Sequence, residues 1–424
     1  MSSVLQRYLA RQRQGVAAGI YSVCSAHPWV IRAAAEQAAA DGSLLLVEAT
    51  SNQVNQFGGY TGMHPAAFRR FVQEHVAAAG VGPERLILGG DHLGPNPWRA
   101  LPSAEAMERA ETMVAEYARA GFGKIHLDAS MACSGDPERL SDEVVAGRAA
   151  RLCRAAESAL GAGERPVYVI GTEVPVPGGA THSVHELEAT SVEAAAYTLG
   201  VHKRVFAEQN LGEVWPRVIA LVVQPGVEFG HDSVVAYERN KAAPLVEWLR
   251  AQTEEIVFEA HSTDYQLPAA YLELVEDGFR ILKVGPALTF AMREALEALE
   301  DMESELVAQQ DRSQLTNVVD ETMLREPKDW MPYYAGSPGG QKLLRRYSYS
   351  DRVRYYWHRP EIAVAVDRLV ANLSKVAIPE SMLSRYLPAQ YLRLRMGQIS
   401  LDPVALIVDK VRDVLRSYAA ACGK

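Results

Sequence analysis

The chain has 424 residues, 48% of them hydrophobic and 22% charged, a composition that supports a large buried core and argues against a disordered chain. Its formal net charge of -9 argues against a nucleic-acid or anionic-membrane surface, which needs clustered Lys and Arg. No apolar run approaches the ~20 residues that would span a bilayer, so the expected partners are small molecules or proteins.

In chain order, Arg7, Arg11 and Arg13 precede VAAGIYSVCSA, a faint likeness to a secretory leader, but that stretch serves better as a first strand over 17–24. Further strand-like runs follow at 43–49, 85–91, 123–128, 166–172, 217–224, 255–260 and 280–285, with helical periodicity between them. Pro28 to Ala40 is one such helix, with Pro28 suited to its first turn; Ala104 to Ala120, closed by Gly121, is another. Repeated βα units predict a (β/α)8 TIM barrel over residues 1–310. The alternative, an open doubly wound sheet, usually has fewer strands and a glycine-rich first turn. Here Ser22-Val23-Cys24-Ser25-Ala26-His27 contains no GxGxxG.

After Phe290 the pattern is helical, with stripes at Leu296, Leu299, Met302 and Leu306, then Ile362, Val366, Leu369, Val370 and Leu373, then Leu401, Val404, Val408, Val411 and Leu415. Residues 311–424 therefore read as a helical extension packed on the barrel. Between the stripes, Arg345 to Trp357 (RRYSYSDRVRYYW) reads as aromatics packed on the barrel wall in preference to a site segment. Cys24, Cys133, Cys153 and Cys422 are too few and scattered for a zinc ribbon or a disulfide framework, which points to a reducing cytoplasm.

The runs Arg85 to His92, Val167 to Glu173, Val218 to His231 and Glu255 to His261 each end on an acid, a histidine or both. A carboxylate or imidazole closing a buried strand must find water, a partner or a metal. On a closed barrel such ends converge on one rim. His92, His231 and His261 are therefore the expected ligands of one divalent metal, zinc first, with Mn, Ni or Co as alternatives. Asp91 and Glu173 are the candidate acid and base, and a bend at the end of the third strand would let Asp91 and His92 serve together. The bland alternative for each is a hydrogen-bonded rim residue or a structural ion pair.

The loop after the second strand carries Ser51, Asn52, Gln53 and Asn55, whose hydroxyl and amide groups suit sugar hydroxyls. Asp128, Ser262, Asp264, Lys283 and Gly285 join them as substrate-binding candidates. Ser262, Thr263, Gly285 and the helix start at Ala287 fall where barrels commonly hold phosphate. Lys283 would act as a Schiff-base lysine only if burial depressed its pKa. Glu48 reads as a loop anchor, and His126 as a residue facing the helices. The GSPGGQK segment fails the spacing of a phosphate-binding loop, which excludes kinase chemistry by that route.

The segments YSVCSAHPWVI, VEATSNQVNQFGGYTGM, LILGGDHLGPN, KIHLDASM, YVIGTEVPVPGG, VVQPGVEF, FEAHSTDYQ, LKVGPALTFA, YSYSDRVRYYW and IPESMLSRYLPAQY resemble the Z-type subunit of class II D-tagatose-1,6-bisphosphate aldolase. That resemblance, from about Gly15 onward, implies a partner that supports a smaller zinc-dependent aldolase subunit without catalysing the cleavage itself. Some such chains carry a tagatose-6-phosphate kinase label, and related ones are ketohexose or ketohexose-phosphate C4 epimerases. It also implies that Asp91-His92 and His261 correspond to the catalytic acid and two zinc histidines of the aldolase. Gln224 to Gly230 intervene before His231, and Lys283-Val284-Gly285 stands where the aldolase has Lys-Val-Asn.

Two roles are therefore expected. The first is a metal-dependent enzyme that inverts C4 of a ketohexose or ketohexose phosphate by retro-aldol cleavage and re-addition. The second is an accessory subunit that activates and stabilises a class II aldolase subunit; a homo-oligomer is compatible with either.

Overall fold

A computed structural model describes residues 3–10, 18–161, 163–172 and 187–423. The strands β1 (Ile20–Cys24), β2 (Leu45–Thr50), β3 (Leu86–Leu93), β4 (Lys124–Leu127), β5 (Val167–Ile170) and β6 (Val218–Val222) form at the expected runs, with β2 and β3 extending one and two residues beyond them. A short hairpin, β7 (Glu228–Phe229) and β8 (Val234–Val235), precedes β9 (Val257–Ala260) and β10 (Phe279–Val284). Strands β1 to β6, β9 and β10 pair in parallel and close into a barrel in the order β1-β10-β9-β6-β5-β4-β3-β2. The (β/α)8 expectation holds.

Preceding β1 is α1 (Val4–Ala10). The wall is built by α2 (Pro28–Asp41), α3 (Pro65–Ala78), α4 (Ser103–Arg119), α5 (Asp142–Ala159), α6 (Val192–Glu208), α7 (Arg239–Ala251), α8 (Pro268–Glu276) and α9 (Pro286–Leu306). Local chemistry sets several of these ends. Pro28, Pro65, Pro268 and Pro286 sit in first turns, where a missing N–H costs nothing, while Ser141 and Ser191 cap α5 and α6 through their hydroxyls. Beyond them lie α10 (Leu315–Arg325), α11 (Pro338–Tyr347), α12 (Pro360–Leu373), α13 (Glu380–Tyr386), α14 (Pro388–Arg395) and α15 (Pro403–Ala421). Helix α15 packs against α2, α8 and α9, and α12 against α9. No described helix is long and apolar enough to cross a membrane.

Side chains alternate along each strand, so one set faces the helices and the other fills the barrel. The outward set, including Val23, Val47, Ile125, Leu127 and Leu282, joins the helices in one apolar core. The inward set is layered. Ile20, Leu46, Ile87, Val169, Ile219, Val257 and Ile281 form an apolar lower layer, sealed from below by Leu5 and Leu9 of α1. Above it the same strands turn polar, with Ser22, Glu48, Lys124, Glu259 and Lys283 all buried.

Candidate functional site

The polar layer is a closed ion-pair network. Lys124 Nζ lies 2.7 Å from Glu48 Oε1 and 2.7 Å from Glu259 Oε2. Lys283 Nζ pairs with Glu48 Oε2 and lies 2.9 Å from Asp91 Oδ1. Burial alone would lower the Lys283 pKa, but Asp91, Cys24, Glu48 and Glu259 outweigh it and hold the ammonium well above its ordinary value. Lys283 is thus a fixed cation, contrary to the requirement for a Schiff-base lysine. Gly89 makes room for this network: a Cβ there would fall 2.3 Å from Glu48 Oε1.

At the rim the expected bend is present. His92 adopts φ 47°, a left-handed conformation uncommon for a residue with a Cβ, and the β3–β4 register shifts between Gly90 and Leu93. Alternation breaks there, so Asp91 and His92 both turn toward the barrel mouth. Ser262, after His261, has φ 53°. A Cβ on Gly94 would meet the Asp128 carbonyl at 1.5 Å, so only glycine lets the end of β3 lie against the β4 loop. Asp128 Oδ2 in turn holds His92 Nδ1 at 2.8 Å. Asp128 positions His92 and lies outside the cavity lining.

His231 is a correction. Strand β6 stops at Val222 because Pro225 has no N–H for a ladder and Gly226 turns at φ 89°. The chain then enters the β7–β8 hairpin, where His231 Nδ1 bonds Ser348 Oγ at 3.0 Å and its ring meets Tyr334 edge-on. It joins neither the cavity nor the cluster. The third imidazole is His126, which faces inward, opposite to expectation. Its neighbours Ile125 and Leu127 take the helix-facing side, leaving Lys124 and His126 to the interior.

Ring centroids of His92, His126 and His261 lie 4.8 to 5.3 Å apart. Donor atoms of Asp91, His126, Glu259 and His261 all fall within 4.8 Å of one another. His126 Nδ1 contacts Asp91 Oδ1 at 3.0 Å, while its buried Nε2 has no hydrogen-bond partner. His261 Nε2 contacts Glu259 Oε1 at 3.0 Å.

Burial disfavours ionised Asp91, yet His92, Lys283 and His126 hold its carboxyl well below the usual range. Burial also opposes charge on His92, but Asp91 and Asp128 raise its pKa. At His261 burial wins, pushing it down to about 4, so it stays a neutral imidazole, the form that binds metals. The donor set fits a divalent cation. Two imidazoles and two carboxylates converge, one ring nitrogen is unpartnered, and Glu48, Asp91 and Glu259 outnumber Lys124 and Lys283.

Above the cluster opens a cavity of about 520 Å³, within the range of small-molecule sites. Of the sequence-derived candidates, Asn52, Gln53, Asp91, His92, His261, Ser262, Asp264, Lys283 and Gly285 line it. Ser51 and Asn55 lie outside the lining. Asn55 braces its own loop, its Nδ2 donating to the Ser51 carbonyl at 2.9 Å and its Oδ1 accepting from the Phe57 and Gly59 amides. Glu173 lies outside the described residues.

Sequence reasoning missed two contributors. Glu259 and His126 share inward parity with His261 and with Lys124, and an acid in mid-strand is costly to bury unless paired. That parity was the available signal. The Arg345–Trp357 segment is more than wall packing: Arg354, Tyr355 and Trp357 line the cavity, with Tyr355 stacked edge-on to Tyr60 at 4.9 Å.

The profile of the family described as D-tagatose-1,6-bisphosphate aldolase subunit GatZ/KbaZ-like matches residues 5–423. D-tagatose-1,6-bisphosphate aldolase subunit GatZ of Escherichia coli O9:H4 (strain HS) is 51% identical over 422 residues, 99% of this chain and 100% of that protein. GatZ of Escherichia coli (strain K12) shows the same identity and coverage. A crystal structure from Sinorhizobium meliloti 1021, described as "a probable tagatose 6 phosphate kinase", is 49% identical. It covers 95% of this chain and 100% of its own, with a TM-score of 0.88.

Proposed function

Because the chain belongs to the D-tagatose-1,6-bisphosphate aldolase subunit GatZ/KbaZ-like family, we propose that it serves as a subunit of such an aldolase, assembling with and activating a class II partner chain. The observation that carries this reading is the 51% identity to GatZ across 99% of the chain. It favours the second of the two roles expected from the sequence. The proposed setting is the cytoplasm, consistent with four free cysteines. We take residues 1–310 as the unit that carries the cluster and 311–424 as the extension that completes the cavity. The test is reconstitution: a purified class II partner subunit, assayed on tagatose 1,6-bisphosphate, is expected to gain activity and thermal half-life when this chain is added. Unchanged activity and half-life would contradict it.

The buried cluster favours a second reading, in which the chain itself inverts C4 of a ketohexose or ketohexose phosphate. His126, Glu259 and His261 would hold a divalent metal, zinc first among Zn, Mn, Ni and Co, with Asp91 beside it. Such an ion, when bound, supplies Lewis-acid polarisation of the substrate's C2 carbonyl. Asp91, kept ionised, would accept the proton of the C4 hydroxyl as the C3–C4 bond breaks, and Glu173 is the proposed second proton carrier. The Lys283 ammonium would offset negative charge developing on the three-carbon half. Retaining the aldehyde, rotating it and re-adding it would invert C4. The chain alone, supplied with a divalent metal, would then interconvert fructose 6-phosphate and tagatose 6-phosphate or the free sugars, and Asp91→Ala and His261→Ala would abolish it. No turnover by the isolated chain with any of the four metals would remove this reading.

A further inference from the structure

Helix α9, the longest in the described chain, starts at the cavity edge directly after β10. A helix N-terminus leaves its first N–H groups without partners, and in a barrel this place is a ready seat for phosphate. Here Pro286 has no N–H, and the Leu288 amide bonds the Gly285 carbonyl at 3.1 Å. That leaves the amides of Gly285 and Ala287. Both donate to one carboxylate oxygen, Asp264 Oδ1, at 3.0 and 2.8 Å. Asp264 is 2% exposed and lines the cavity. The chain's own anion therefore fills the anion seat and cancels the positive end of the helix dipole. Neither described hydrogen bond uses Oδ2, which leaves it to accept from a ligand hydroxyl. Burial is severe enough to push the Asp264 pKa up to about 6 despite both amides and the Arg354 guanidinium nearby, and a second anion beside it would add to that cost.

We propose that Asp264 is a specificity-determining residue: it closes the α9 anion seat, so the ligand end lying there must carry a free hydroxyl and a doubly phosphorylated sugar is rejected. This deepens the reading of the cavity as a sugar site and rests on it.

The test is calorimetric titration of the full chain with inorganic phosphate, fructose and fructose 1,6-bisphosphate, comparing wild type with Asp264→Ser and Asp264→Asn. Wild type is expected to bind fructose more tightly than the bisphosphate and to ignore phosphate. Asp264→Ser empties the seat and is expected to strengthen both phosphate and bisphosphate binding by about tenfold or more. Asp264→Asn keeps an oxygen over the two amides without the charge and is expected to gain less. Circular dichroism and melting curves establish that each variant is folded, and Asp264→Asn, with its cap retained, serves if Asp264→Ser is not. Equal wild-type affinity for fructose and the bisphosphate would overturn the proposal, as would folded variants that gain no phosphate binding. A phosphate gain with no sugar binding to any variant would uphold the closed seat while failing the sugar reading.

Discussion

The two halves of the barrel interior are built from the same strands and solve opposite problems. Below, Leu46, Val257 and Ile281 fill space, and α1 seals them with Leu5 and Leu9. Two residues further along the same three strands stand Glu48, Glu259 and Lys283, buried and paired. The lower half stabilises the fold by removing apolar surface from water. Replacing the upper half by apolar residues would often be neutral or stabilising, so its charges have no evident purpose in stability alone. Directly above them sit the cavity, Asp91 and three histidines.

The sharpest way to break this contrast is to remove one partner from the upper layer. Glu48→Ala strands Lys124 and Lys283 without their shared carboxylate, and should cost about 3 to 5 kcal/mol in urea unfolding. A loss under ~1 kcal/mol would mean that the network is not closed as described. In the lower layer, Ile281→Ala should cost about 2 to 5 kcal/mol through the cavity it leaves, while ligand and metal binding stay as in wild type. Altered binding would show that the layers are coupled.

A third test uses pH. Glu228, on β7, is pushed up to about 7 by burial, well above its ordinary 4.5. The folded state therefore keeps a proton that the unfolded chain releases, and this group's contribution falls as pH rises from about 4.5 through 7. Glu228→Gln should remove that slope, gaining ~1 to 3 kcal/mol at pH 8 and little at pH 4.5, read from denaturant midpoints. A gain equal at both pH values would contradict the assignment. The smallest effect is expected at His231→Ala, about 1 kcal/mol for its Ser348 bond, with metal and ligand binding unchanged.

Much of this was legible in the sequence, because strand ends and helix starts are written in local chemistry. β3 and β10 fall where Val, Ile and Leu runs meet Gly or Pro, and the eight-strand barrel follows from their repetition. Asp91, His92 and His261 were legible for the same reason, as polar closures of apolar runs. The ligand set was less so. His231 and Val222 appeared to belong to one run, and only the turn at Pro225-Gly226 separates them. The expectation that His126 faces the helices fails because Ile125 and Leu127 take that side, leaving Lys124 and His126 to an interior that is polar in its upper half. Arg354, Tyr355 and Trp357 reach the cavity from the extension, a long-range placement that no local pattern encodes.

The most direct test of the central claim, that the charged upper layer is the functional centre, is metal content by mass spectrometry of the purified full chain after incubation with zinc and desalting. Wild type and His231→Ala should retain a stoichiometric ion, and His126→Ala and His261→Ala should lose it. Retention in all four, or loss in His231→Ala alone, would contradict the account.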